Sequence, residues 1–194
     1  MEIIEVLQRV VSKLEELRIP YMVAGSAASS FHAFVRTTQD GDLVVALGPD
    51  KIEDFTDAFS PEFYLDRESI RRAVRAGNSF NLIHLESSLK IDFFPLRNRS
   101  FSHEEFSRRE PRLVLKDASA RAYVATAEDT ILTKLEWFRA GGEVSENQLR
   151  DVVGILKVQA NNLDFAYLRK WSRELRVEDL YEKALKAASI SGSK

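Results

Sequence analysis

The stretch "YMVAGSAASSFHAFVRTTQDGDLVVAL", Tyr21 to Leu47, constrains the fold of this chain more than any other. Its first apolar run, "YMVAG", reads as a short buried strand that stops at Gly25-Ser26. "AASSFHAFV" then reads as a helix. "DLVVAL" reads as a second strand, fully apolar after its acidic start and broken by Gly48-Pro49. Two carboxylates, Asp40 and Asp42, stand at the start of that strand. Strand side chains alternate, so both acids point the same way, and like charges that close repel. Either solvent screens the pair or the pair holds a cation.

The rest of the chain supplies a frame for this stretch. Ile3, Leu7, Val10, Leu14 and Leu17 recur at helical spacing, and Pro20 ends that helix. "DKIEDFTDAFS" reads as a helix with Asp50 as its cap, and "DRESIRRAVRAG" as another ended by Gly77. "SFNLIHLE" and "LKIDFFPL" read as an antiparallel hairpin turning at Ser87-Ser88, while "RLVLKD" and "AYVA" add edge strands. From Thr126 the pattern becomes helical. "TAED" resembles a capping box with Asp129 in the usual Glu place. Ile131, Leu132, Leu135 and Phe138 make an apolar face that stops at Gly141-Gly142. "SENQLRDVVGILKVQ", "DFAYLRKWSREL" and "VEDLYEKALKAA" follow as further helices. The expected organisation is an α+β half, residues 1–125, and a helical half, residues 126–194.

The chemistry rests on what can bind a phosphate and a metal. Gly25-Ser26 lies between a buried strand and a helix N-terminus, where free backbone N–H groups and the helix dipole favour an anion. Asp40 and Asp42 offer hard oxygens suited to Mg²⁺ or Mn²⁺. A third acid, Asp92 in "LKIDFFP", sits in another strand with Ile91 and Phe93 turned the other way. If the two strands are neighbours, three carboxylates converge. The chain has no Cys, which excludes disulfides, thiolate zinc sites and a Cys nucleophile. Its net charge of −2 leaves any nucleic-acid contact to a local patch. The N-terminus lacks a signal-peptide apolar region, and no run approaches the roughly 18 apolar residues of a membrane span. A cytoplasmic protein with no membrane partner is expected.

The order strand, Gly-Ser, helix, Asp-x-Asp strand, later strand Asp resembles the nucleotidyltransferase superfamily with the DNA polymerase β-type fold. "VAGSAASSFHAFVRTTQDGDLVV" is similar to its small prokaryotic members, with Arg36, Thr38, Asp40, Asp42 and Leu43 matching in order. The helical half resembles abortive-infection-type nucleotidyltransferase toxins, with Lys134 and Arg150-Asp151 in the matching places. The resemblance implies a mixed sheet flanked by helices, then a C-terminal helical bundle, with the site in the cleft between them. It implies metal-dependent transfer of an NMP from an NTP such as ATP to a hydroxyl of tRNA, a protein or a small molecule, and a cognate antitoxin as partner. In that reading Asp40, Asp42 and Asp92 are catalytic and hold the metal, while Gly25, Ser26, Arg36, Thr38, Lys134 and Asp151 bind the nucleotide. Two departures stand out: Gly41 replaces an apolar residue and should loosen its strand, and Gly154 stands where the family often has a second Asp. They motivate an alternative, a catalytically weak nucleotide-binding or regulatory module that kept the fold.

Other candidates carry a bland reading beside the functional one. Lys134 contacts phosphate, or pairs with Asp151 or Glu128. Arg36 and Thr38 touch phosphate or brace the loop. Arg67, Arg71 and Arg75 share one helix face, which suits phosphates or is simply a solvated face. His32 reads as packed or hydrogen-bonded, and Trp137, Phe138 and Trp171 fit helical core spacing.

Overall fold

Helix α1 (Ile3–Glu16) forms because its apolar residues recur on one side. Val6, Leu7, Val10, Val11 and Leu14 are buried on that side. The computed structural model describes residues 3–33, 40–113 and 121–190. These divide into two units: residues 3–27 with 40–113 and 121–125, and residues 28–33 with 126–190.

The first unit is built on a mixed seven-stranded sheet in the order β3-β4-β5-β2-β1-β7-β6. Its strands are β1 (Tyr21–Val23), β2 (Asp40–Val45), β3 (Phe63–Tyr64), β4 (Phe80–His84), β5 (Lys90–Pro95), β6 (Glu110–Leu113) and β7 (Arg121–Val124). The predicted hairpin is present, with β4 antiparallel to β5 and Phe80 opposite Phe93. The expected edge strand at "AYVA" is corrected: β7 lies inside the sheet, parallel to β1 and antiparallel to β6. Three further helices belong to this unit: α3 (Ile52–Phe59), α4 (Arg67–Ala76) and α5 (Ser100–Arg108). Periodicity does not mark β3 or α5, because β3 is two residues long and α5 mixes apolar and charged positions. Asp50 does not cap α3. It sits in a 3₁₀ turn, Pro49–Lys51, and the N-cap is Lys51 without a side-chain bond.

One face of the sheet is closed by aromatic packing. Phe93 of β5 stacks on Phe80 with centroids 5.1 Å apart and meets Phe55 edge-on at 5.5 Å. Phe59 and Phe63 extend the cluster. Such pairs add to the burial of large apolar area. They hold β5 by the side chains facing away from Asp92.

The second unit is helical. It comprises most of α2 (Gly25–His32) with α6 (Ala127–Ala140), α7 (Glu146–Gln159), α8 (Phe165–Glu174) and α9 (Glu178–Ala188). Thr126 caps α6 by accepting from Asp129 N–H at 3.2 Å. The Asp129 carboxylate, fully buried, accepts from the Thr126 and Tyr167 hydroxyls, each at 2.6 Å. Phe138 and Trp171 are core residues as expected, but Trp137 is corrected to a surface residue, 46% exposed. Helical spacing alone leaves adjacent positions at the stripe's edge undecided.

Candidate active site

The three strand carboxylates of the sequence reading belong to adjacent strands. β2 and β5 run parallel, and their register places Asp42 directly beside Asp92. Residues level on neighbouring strands project to one face, and Asp40 is two residues from Asp42, so all three acids share that face. Gly41, Ile91, Leu43 and Phe93 fill the opposite one; the named side chains there are fully buried. The alternation of the two strands thus separates a polar row from the core.

Gly41 pairs with Ile91 in a ladder that runs unbroken from Asp40 to Val45. A Cβ there would lie 2.7 Å from Ile91 Cδ1 and 3.4 Å from Leu7 Cδ1. The missing side chain is what lets α1 seat against the sheet directly beneath the acids. At Gly154, in the second unit, a Cβ would meet only Ala33 Cβ at 3.7 Å, an ordinary contact, so packing does not require a glycine there.

Gly25 ends β1's run and begins α2 with φ +58°, a left-handed conformation that glycine adopts without penalty. A Cβ on Gly25 would fall 1.9 Å from Asp42 Oδ2 and 2.8 Å from Asp42 Cβ. The Gly25 backbone therefore lies against the Asp42 side chain, with no room for any other residue. Ala24 N–H donates to Asp42 C=O at 2.9 Å, which ties the start of α2 to the acidic strand. Ser26 occupies the next position in that first turn.

The sequence reading missed Lys90. It lies level with Asp40 in the β2–β5 register and shares the acids' face. Its Nζ donates to Asp92 Oδ2 at 2.8 Å and stands 4.0 Å from Asp40 Oδ1. The hydrogen bond to Asp92 chiefly raises the lysine's pKa, with burial opposing it and the charges of Asp92, Asp40 and Asp42 adding to it. The signal was present in "LKID": alternation alone places Lys90 on the face of Asp92. Asn81 of β4 is level with Asp92 on its other side.

The acids fit a divalent cation in kind, since they are hard oxygens gathered on one face where one of them already pairs with a positive charge. As the side chains stand, no three His, Asp or Glu groups among the described residues close on a point that could hold a metal. The cation that Asp92 faces is the Lys90 ammonium.

Lys134 and Asp151 come together in the second unit. Lys134 Nζ is 3.0 Å from Asp151 Oδ2 and donates to Gln148 Oε1 at 3.2 Å, with the lysine side chain only 5% exposed. Of the two sequence readings of Lys134, the ion pair with Asp151 is present. Arg36 and Thr38 lie outside the described residues. Two arginines of the α4 face are engaged with acids: Arg67 pairs with Glu53 and Asp57, and Arg71 with Glu53 and Glu68. His32 is buried, as expected for a packed residue, and its carbonyl accepts from Gln159 Nε2 at 2.9 Å.

No family model and no curated protein matches the chain. Solved structures do. An antigenic nucleotidyltransferase-like protein from Paracoccidioides brasiliensis superposes with a TM-score of 0.56 at 16% identity, over 96% of this chain and 93% of that one. The antibiotic-resistance factor ANT(2″)-Ia superposes with a TM-score of 0.52 at 8% identity, over 96% of this chain and 94% of that one. At such identities the likeness is one of fold, and the fold is the nucleotidyltransferase-like one expected from the Gly-Ser and Asp-x-Asp pattern.

Proposed function

We propose that this chain is a metal-dependent nucleotidyltransferase that moves an NMP from an NTP to a hydroxyl acceptor. The observation that carries the reading is the register of β2 and β5. It sets Asp42 beside Asp92 with Asp40 on the same face, and Gly25 is pressed against Asp42. The fold shared with nucleotidyltransferase-like structures supports it.

Asp40, Asp42 and Asp92 would hold Mg²⁺ or Mn²⁺, which when bound would offset charge on the triphosphate. Asp92 accepts the proton of the acceptor hydroxyl. The freed oxygen attacks the α-phosphorus, the bond to the bridging oxygen breaks, and pyrophosphate leaves. Gly25 and Ser26, at the start of α2, bind the β- and γ-phosphates through backbone N–H groups and the Ser26 hydroxyl. Arg36, Thr38, Lys134 and Asp151 complete nucleotide binding in this reading. Lys134 must then exchange its Asp151 contact for phosphate, or serve only to brace α6 against α7. The acceptor classes are tRNA, a protein or a small hydroxylated compound. On the sequence resemblance of the helical half to abortive-infection toxins, a cognate antitoxin is part of the proposal. A second reading, a catalytically weak nucleotide-binding or regulatory module, draws on the Lys90 ammonium lying against Asp92.

The test is calorimetric binding of each NTP with and without Mn²⁺, followed by incubation of labelled NTPs with total tRNA, total protein and hydroxylated small molecules. Metal-dependent binding that Asp40→Ala abolishes, with label appearing in one acceptor pool, is expected. NTP binding indifferent to both metal and Asp40→Ala would sink the enzyme reading.

A further inference from the structure

Three acids on one strand face repel one another in the absence of metal, and a fold that gathers them needs a compensating charge. Among the described residues, Lys90 brings such a charge to the cluster. Lys90 projects from the same strand as Asp92, two residues before it, and is level with Asp40 across the β2–β5 ladder. Its ammonium donates to Asp92 Oδ2 at 2.8 Å and lies 4.0 Å from Asp40 Oδ1. The lysine is 40% exposed and Asp92 22%, so solvent reaches the pair and the side chain has room to leave. Lys90 thus approaches oxygens of two of the three acids.

We propose that Lys90 is the resident cation of the carboxylate cluster, holding Asp40, Asp42 and Asp92 assembled in the free protein and yielding Asp92 when a divalent metal binds. This rests on the metal-dependent reading above. Lys90 is a positioning residue here, because it acts through Asp92. Binding of metal is then an exchange of one cation for another, so the wild-type site binds metal more weakly than its acids alone would. The exchange also frees an ammonium beside the site where a polyanionic triphosphate arrives, which makes metal and nucleotide binding mutually supportive.

The experiment is Mn²⁺ titration calorimetry on the wild-type chain, Lys90→Met, Lys90→Gln and Lys90→Arg, with thermal unfolding confirming that each is folded. Removing the competing charge from a site of this kind is expected to tighten Mn²⁺ binding by about tenfold or more in Lys90→Met and Lys90→Gln. Lys90→Arg, which keeps the charge, should stay near wild type. The neutral variants should also melt lower than wild type in EDTA and regain stability on adding Mn²⁺. Equal or weaker Mn²⁺ binding by both neutral variants overturns this inference alone and leaves the metal-dependent reading standing. Binding by the neutral variants and not by wild type supports it, and turns the function toward the regulatory module. Absence of Mn²⁺ binding in every variant overturns the inference and the metal-dependent reading together.

Discussion

At the scale of single residues, the two glycines around the acids have opposite tasks and should respond differently to substitution. Gly25→Ala puts a methyl group 1.9 Å from Asp42 Oδ2 in a backbone with φ +58°, which costs roughly 1–2 kcal/mol in strain before the carboxylate has moved. Its metal-dependent nucleotide binding, measured by calorimetry, should be lost while the chain still melts cooperatively. Gly41→Ala meets the flexible ends of Ile91 and Leu7 on the other face. It should cost about 1 kcal/mol or somewhat more by overpacking and leave binding intact. Lys134 offers a second contrast. Its pair with Asp151 is buried, and removing one partner of such a pair typically costs about 3–5 kcal/mol. Lys134→Met should therefore lower the urea midpoint strongly, and Asp151→Asn combined with it should recover part of the loss. A variant of unchanged stability that binds NTP weakly would instead show that Lys134 serves phosphate. Lys90 shows why a lysine beside acids is hard to read in sequence. Alternation gives its face, but only the register of a strand some fifty residues away brings Asp40 level with it.

At the scale of elements, a helix end is legible where a side chain speaks for itself and obscure where the chain tightens. Asp66 caps α4 by accepting from Ser69 N–H at 2.7 Å, and Gly77 closes it in the left-handed region. The bond from Ser69 holds the Asp66 carboxyl below its ordinary pKa. A depressed carboxylate adds stability that is present above its unfolded pKa and is lost as pH falls through the folded one. Asp66→Ala should thus lower the melting temperature at neutral pH, and the gap to wild type should close as pH drops below the carboxylate range. Asp50 looked equally able to cap α3, yet a 3₁₀ turn after Gly48 moved the helix start past it. "AYVA" looked like an edge strand because it is short, and β1, which covers its inner side, comes from a segment far away in the chain.

At the scale of the molecule, the sheet order puts the acidic strands at its centre, with β3 and β6 at its edges. Hydrogen exchange should be slowest at the amides of β2 and β5 and fastest at the edge strands, since opening β5 requires breaking the Phe93 cluster. Early exchange at Asp92 would contradict that picture. The sequence alone determined the parts: two apolar strands around a Gly-Ser turn, an Asp-x-Asp start, a lone strand Asp with its core neighbours, and a helical second half. These are local matters, set by side-chain alternation, helical spacing and turn chemistry. Tertiary structure alone decided three things. It set Asp42 level with Asp92, it put Gly41 under α1, and it gave the acids a lysine as their counter-charge. Each depends on which strand lies beside which, a pairing that hydrogen bonds between distant segments settle and local patterning does not encode.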